Sequence, residues 1–281
     1  MYTSPKRFAL VLLIAFAMLL AACDTTAETT EAPLATEEVA TEEVVQPTEE
    51  VSTPLPEPVD VMTPEPMPAL VTVSSDILLD PATASDVDSL MLNGYIYEGL
   101  LRLDSSGNPA AALATSWTIS DDGLDYIFEL RGNVTFHDGS AFNADAVLAN
   151  FNRWFDPADA THGTGTYAAW QQYFLGFKGE VDANGQPVSS FDGVEKVNDY
   201  TVLVHLNRPM PDLLTVLAQP AFAMVSPASL AAGEGFGLTA AGSAGTGPYL
   251  VTSWTGESLV LSPNTGYWDV VPTGDLIFGW K

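Results

Sequence analysis

Apolar side chains at Ala144, Val147, Leu148, Phe151, Trp154 and Phe155 fall on one stripe at helical spacing, and Asn143 precedes them as an N-cap. The spacing predicts a helix, and its aromatic residues read as core rather than as a cofactor box. A second period governs Trp117 to Leu130, where Leu124, Tyr126, Phe128 and Leu130 alternate with Asp125, Ile127 and Glu129 after the turn signal Asp122-Gly123. That is a hairpin with one apolar face, and Ile127 on the other face predicts partial cover there too. Phe191 to Leu206 repeats the pattern, with a turn at Asn198-Asp199 and Val202, Val204 and Leu206 pointing one way. Further elements are an opening strand at Ala69–Val73, broken at Asp80-Pro81, and a helix within Asp86–Glu98. A short helix over Pro211–Leu217 follows, then a hairpin of Tyr249–Trp254 with Ser258–Ser262. Strands and helices mix irregularly, which predicts α/β or α+β rather than strict βαβ repetition.

The chain ahead of residue 69 is built differently. Lys6 and Arg7 precede an apolar run, Phe8 to Leu20, too short to span a bilayer comfortably and suited to an export signal. Leu20-Ala-Ala-Cys23 ends that run with the chain's only cysteine. These four residues resemble a bacterial lipobox, which implies removal of residues 1–22 and lipidation of Cys23. A single acyl chain anchors only marginally, so lasting attachment requires a multi-chain lipid. The alternative is an ordinary signal peptide with an incidental cysteine.

Asp24 to Pro68 contains twelve acidic residues, eight prolines and no lysine or arginine, and Thr-Glu-Glu-Val starts at Thr36, Thr41 and Thr48. Such a segment has too little apolar surface to offset the entropy of ordering it, so residues 23–68 are predicted to be an anchored, disordered stalk. Net charge is −27, and the region after the stalk is acidic as well. An acidic surface argues against nucleic acid, whose phosphates need a basic face.

Residues 69–281 are long enough for a substantial core. From Tyr97-Glu-Gly-Leu-Leu101 onward they carry an ordered series of short motifs: Ala112-Leu-Ala-Thr-Ser-Trp117, Ser120-Asp-Asp-Gly123, Tyr126-Ile-Phe-Glu-Leu-Arg131 and Val134-Thr-Phe-His-Asp-Gly139. Ala144-Asp-Ala-Val147, Asp199-Tyr-Thr-Val202, Gly245-Thr-Gly-Pro-Tyr249 and Asn264-Thr-Gly-Tyr-Trp268 continue it. The series resembles the extracellular solute-binding proteins of bacterial ABC importers, family 5, which include oligopeptide- and dipeptide-binding proteins.

The resemblance implies an α/β fold of the periplasmic-binding-protein type II, with the first lobe only in this sequence. The second lobe and returning strands of the family would lie beyond Lys281, which implies a truncated reading frame or a partial sequence, with a purpose-built half-protein as the alternative. It further implies a monomer without cofactor that captures a solute by hinge closure, passes it to a membrane permease and sits at the outer face of the cell membrane. Peptide is the favoured cargo because it is common in the family; oligosaccharides, opines, and metal or haem species also occur.

Site residues follow from the same resemblance. Thr83, Ala84 and Ser85, just after Leu79-Asp80-Pro81, correspond to cleft contacts, or form an ordinary strand-to-helix loop. Tyr167 stands near the position of a cleft aromatic. Gly245, Thr246 and Gly247 either let the backbone approach a ligand or simply make a turn. An exported hydrolase is the rival reading, but His137, His162 and His205 lack metal-ligand spacing, and no Gly-x-Ser-x-Gly elbow occurs. Gly233–Gly237 has no strand leading into it and so is not a dinucleotide loop. A surface-anchored adhesive lipoprotein would share Cys23 and the stalk but not the motif series.

Overall fold

Capping and stripe act together in the central helix. Asn143 accepts a hydrogen bond from the Ala146 amide at 3.1 Å, and the helix runs Ala144–Phe155 with its apolar face buried. The computed structural model describes residues 70–281 apart from Ser75, so the lipobox, Cys23 and the stalk lie outside the described residues.

In chain order the strands are β1 (Leu70–Val73), β2 (Glu98–Gly99), β3 (Leu101–Leu103), β4 (Pro109–Ala111), β5 (Ala114–Ile119), β6 (Asp125–Leu130), β7 (Phe191–Asn198), β8 (Thr201–Leu206), β9 (Ala223–Met224), β10 (Tyr249–Trp254), β11 (Ser258–Pro263) and β12 (Leu276–Trp280). The helices are α1 (Val87–Ile96), α2 (Ala144–Phe155), α3 (Ala168–Phe174), α4 (Leu213–Leu217) and α5 (Pro227–Leu230).

Two four-stranded sheets organise the chain. One is antiparallel, in the order β5-β6-β8-β7, with α2 packed over β7 and β8. Tyr126, Phe128, Leu130, Val202, Val204 and Leu206 fill its inner face as the alternation predicts. On the outer face Ile127 is half-covered, and Asp125 lies opposite His205, with Oδ1 2.6 Å from Nδ1. The β7–β8 turn sits one residue later than the sequence suggests: Asn198 already pairs with Thr201, leaving Asp199 and Tyr200 at the tip.

The second sheet is mixed, in the order β1-β12-β11-β10. Its first and last strands, β1 and β12, run parallel side by side. Sequence periodicity predicts β1, β10 and β11 but not β12, whose Leu-Ile-Phe-Gly-Trp run has no alternation to mark it.

Each sheet has its own core. Phe128, Phe151, Trp154, Trp170, Phe174, Phe191 and Phe222 lie at the centre of the first. Val73, Leu79, Leu92, Ile96, Leu259, Leu261 and Phe278 belong to the second. Between them run β2 and β9, which pair with each other, with Met224 in the first core and Ala223 in the second. Asn150 of α2 reinforces this seam. Fully buried, it accepts from the Val225 amide at 3.0 Å and donates to the Val225 carbonyl at 2.8 Å, completing a backbone pair that no strand supplies.

Candidate ligand-binding wall

The loop after Asp80-Pro81 owes its shape to one carboxylate. Asp80 accepts from the Ala82 amide at 3.2 Å and from the Thr83 hydroxyl at 2.5 Å, while its carbonyl accepts from the Ala84 amide at 2.9 Å. Arg153 of α2 meets the same carboxylate with both terminal nitrogens, at 3.0 and 2.6 Å. Arg153 Nε donates to the Thr161 carbonyl at 3.0 Å, and its guanidinium lies over the rings of Phe236 (4.9 Å) and Tyr167 (5.3 Å). One buried ion pair therefore fixes the 80–85 loop, α2 and the 161–167 loop to one another.

The loop borders a recess of about 380 Å³, lined by Ala82, Thr83, Ala84 and Ser85 together with Thr166, Ala168, Ala169 and Ala221. Thr83 and Ala84 are half-buried, and Ser85, Thr166 and Ala168 are exposed. The 80–85 and 161–167 loops meet where Gly165 passes Thr83, since a Cβ on Gly165 would lie 2.6 Å from the Thr83 methyl. The lining has small methyls and hydroxyls and no charged side chain. Such a surface suits close approach of an extended chain or an uncharged group.

Tyr167 points away from the recess. Its ring is 2% exposed, stacks on His162 at 4.4 Å, and its hydroxyl donates to the His162 carbonyl at 2.5 Å. Burial pushes that hydroxyl up to about 12, so it remains a neutral donor. His162 in turn donates from Nδ1 to the Arg153 carbonyl at 2.6 Å.

Gly245, Thr246 and Gly247 are buried and are not among the residues that line the recess; they sit at the seam between the cores. A Cβ on Gly245 would lie 2.0 Å from the Ile96 carbonyl oxygen, and one on Gly247 would lie 2.7 Å from it. His137 locks the same turn. Its amide donates to the Gly245 carbonyl at 2.8 Å, Nδ1 faces the Gly245 amide at 3.3 Å, and Nε2 lies 3.0 Å from the Gly247 carbonyl. That pattern requires a neutral ring with its proton on Nε2, and burial holds the His137 imidazole below its usual range.

Thr246 donates to Glu98 Oε2 at 2.8 Å, where Trp268 Nε1 also donates at 2.9 Å, and the Tyr267 hydroxyl donates to Glu98 Oε1 at 2.8 Å. Three of the sequence motifs thus close on one carboxyl. Burial raises it above the usual carboxylate range, against the opposing effect of the three donors and of Arg131.

Sequence reasoning missed Arg153, Asn150 and Glu98. Asn150 and Arg153 lie off the apolar stripe of α2, where polar residues read as solvated, and Glu98 is a lone carboxylate inside a strand of two residues. Among the described residues, no group of three or more His, Cys, Asp or Glu is placed to hold a metal, and no helix is long and apolar enough to cross a membrane.

Comparison with known proteins supplies the context. Residues 108–276 match the model of the bacterial extracellular solute-binding proteins, family 5 Middle. The glutathione-binding protein GsiB of Escherichia coli O1:K1 / APEC is 34% identical over 202 residues, which is 71% of this chain and 35% of that protein. The chain therefore spans about a third of the length of this curated relative. Among solved structures, the periplasmic binding protein DppA from Helicobacter pylori, in complex with the peptide STSA, superposes with a TM-score of 0.62 at 26% identity. The match covers 75% of this chain and 41% of that one. HbpA2 from Haemophilus parasuis gives a TM-score of 0.62 at 29% identity, over 75% of this chain and 42% of that one. Coverage of that extent corresponds to one lobe of a periplasmic binding protein. From the matched model and the curated relative together, the chain belongs to the bacterial extracellular solute-binding proteins, family 5.

Proposed function

We propose that this chain is the first lobe of the substrate-binding component of an ABC importer, and that it captures an extracellular peptide or peptide-like solute without transforming it. The observation that carries the reading is the uncharged recess between Thr83–Ser85 and Thr166–Ala169, held in shape by Asp80 and Arg153. Small lining residues leave room for a peptide main chain to approach, and hydroxyls at the rim offer hydrogen bonds. GsiB is named for glutathione, itself a tripeptide, and DppA is seen with a tetrapeptide, which supports the same ligand class.

The protein acts as a monomer, anchored through lipid on Cys23 at the outer face of the cell membrane, with residues 24–68 as a spacer. A second lobe closes over the solute by hinge motion, and the closed form docks on the permease. Thr83, Ala84 and Ser85 touch the ligand. Tyr167, Gly245, Thr246 and Gly247 hold the wall and the seam.

Isothermal calorimetry of the two-lobed protein, this chain together with its second lobe, against the tetrapeptide Ser-Thr-Ser-Ala and against glutathione tests the reading. Saturable binding of either, lost in Ala168→Trp and accompanied by unchanged ligand on chromatography, supports it. Absence of binding to both, or consumption of the ligand, overturns it. Labelling with radioactive palmitate, retained in the native chain and lost in Cys23→Ser, tests the anchor separately.

A further inference from the structure

Glu98 combines three conditions that rarely coincide. It lies at the seam of the two cores, its oxygens are all engaged, and among the described residues no cation stands within ion-pair distance of it. Ionised in such a place, a carboxylate loses hydration that three neutral donors replace only in part.

The partners are unequally divided. Oε2 accepts from Trp268 Nε1, which can only donate, and from the Thr246 hydroxyl, whereas Oε1 meets only the Tyr267 hydroxyl. A hydroxyl both donates and accepts. A proton arriving from solvent on Oε1 therefore needs only a reversal of the Tyr267 bond: Oε1–H donates to Oη, the Tyr267 proton turns outward, and both bonds at Oε2 remain. Every contact of the clasp survives in the neutral form, and the charge on a half-buried carboxylate disappears.

Among the surrounding charges Arg131 opposes this protonation, but from beyond ion-pair distance of Glu98. Arg131 rests on the Trp268 ring, with Cζ 3.9 Å from its centroid. Arg102 pairs with Asp269 at 3.7 Å on the exposed side of the same loop. His137 reaches the seam through Gly247 and is held neutral by burial. Tyr267 is itself shifted upward by burial and by Glu98, and so stays protonated.

We propose that Glu98 is a proton-operated clasp: it takes up a proton on Oε1 in the folded chain, the seam between the two cores is tighter in that state, and opening the seam releases the proton. The signal it reads is the acidity of the medium outside the cell. This goes beyond solute binding and does not depend on it.

A carbon-13 NMR titration of the glutamate carboxyls in the full chain tests the clasp, alongside urea unfolding over the same pH range. One carboxyl titrating above the others, absent in Glu98→Gln and moved further up in Tyr267→Phe, is the expected result. Relative to Glu98→Gln, the native chain should lose stability as pH rises through that titration. Glu98 titrating with the other glutamates overturns the proposal, as does a stability difference between the two chains that does not vary with pH. Should Glu98→Gln not fold, the direction of the Tyr267→Phe shift decides alone, and no upward movement overturns it.

Discussion

Arg153 holds Asp80 through two hydrogen bonds, at 3.0 and 2.6 Å, with 4% and 6% of their side chains exposed. Removing one partner of a buried pair strands the other without a counter-charge, at a cost of about 3–5 kcal/mol. Arg153→Met and Asp80→Leu should each destabilise by that amount in urea unfolding. The double variant should lose less than the sum of the two. Additive losses would show that the pair is not coupled.

Asn150 satisfies both backbone groups of Val225. Asn150→Leu leaves an amide and a carbonyl buried without partners, each costing about 1–3 kcal/mol. Unfolding should report a loss in that range or above. Hydrogen exchange at the Val225 amide should accelerate more than exchange in β6.

Two glycines are predicted to respond in opposite directions. Gly94 lies within α1 with open space around it, so Gly94→Ala should stabilise by about 0.5–1 kcal/mol through helix propensity. Gly245→Ala drives a methyl against the Ile96 carbonyl and the Tyr97 ring, at 2.0 and 2.6 Å. It should lower the thermal midpoint by several degrees, since about 1 kcal/mol shifts a domain of this size by roughly 2–4 °C. Equal midpoints for the two variants would remove the tight seam from the account.

His137 gives a pH dependence opposite to that of Glu98. Its folded form is neutral and its imidazole is depressed below 6.5, so its contribution is complete above 6.5 and is lost as pH falls through the folded value. Protonation would put an N–H where Nδ1 now faces the Gly245 amide. In His137→Gln, the part of the acid-induced loss that begins near 6.5 should be absent from unfolding curves. An unchanged acid limb would place the origin of that loss elsewhere.

Most of the antiparallel sheet and α2 were legible in the sequence because each has one buried face, and burial of one face imposes a period. Leu124 to Leu130 and Val202 to Leu206 show this directly. β12 was not legible, since it is central in its sheet and its residues do not alternate. The tetrad Glu98, Thr246, Tyr267 and Trp268 was not legible as a contact either. Glu98, Thr246 and the adjacent pair Tyr267-Trp268 are far apart in sequence, and nothing local marks a carboxylate that they will enclose. Motif order pointed to Thr83–Ser85, and these residues line a recess. The same motif order could not separate Gly245–Gly247 as packing from Gly245–Gly247 as ligand contact, because close backbone approach needs glycine in both cases.

The parallel pairing of β1 with β12 has a bearing on how the molecule is made. Leu70 finds its neighbour Ile277 only after roughly 200 further residues have been synthesised, and such distant contacts close slowly. Until then the front strand has no partner of its own in the sheet. The opening strand of this sheet is thereby kept waiting for its partner until β12 exists, so the sheet is completed by the most distant of its contacts.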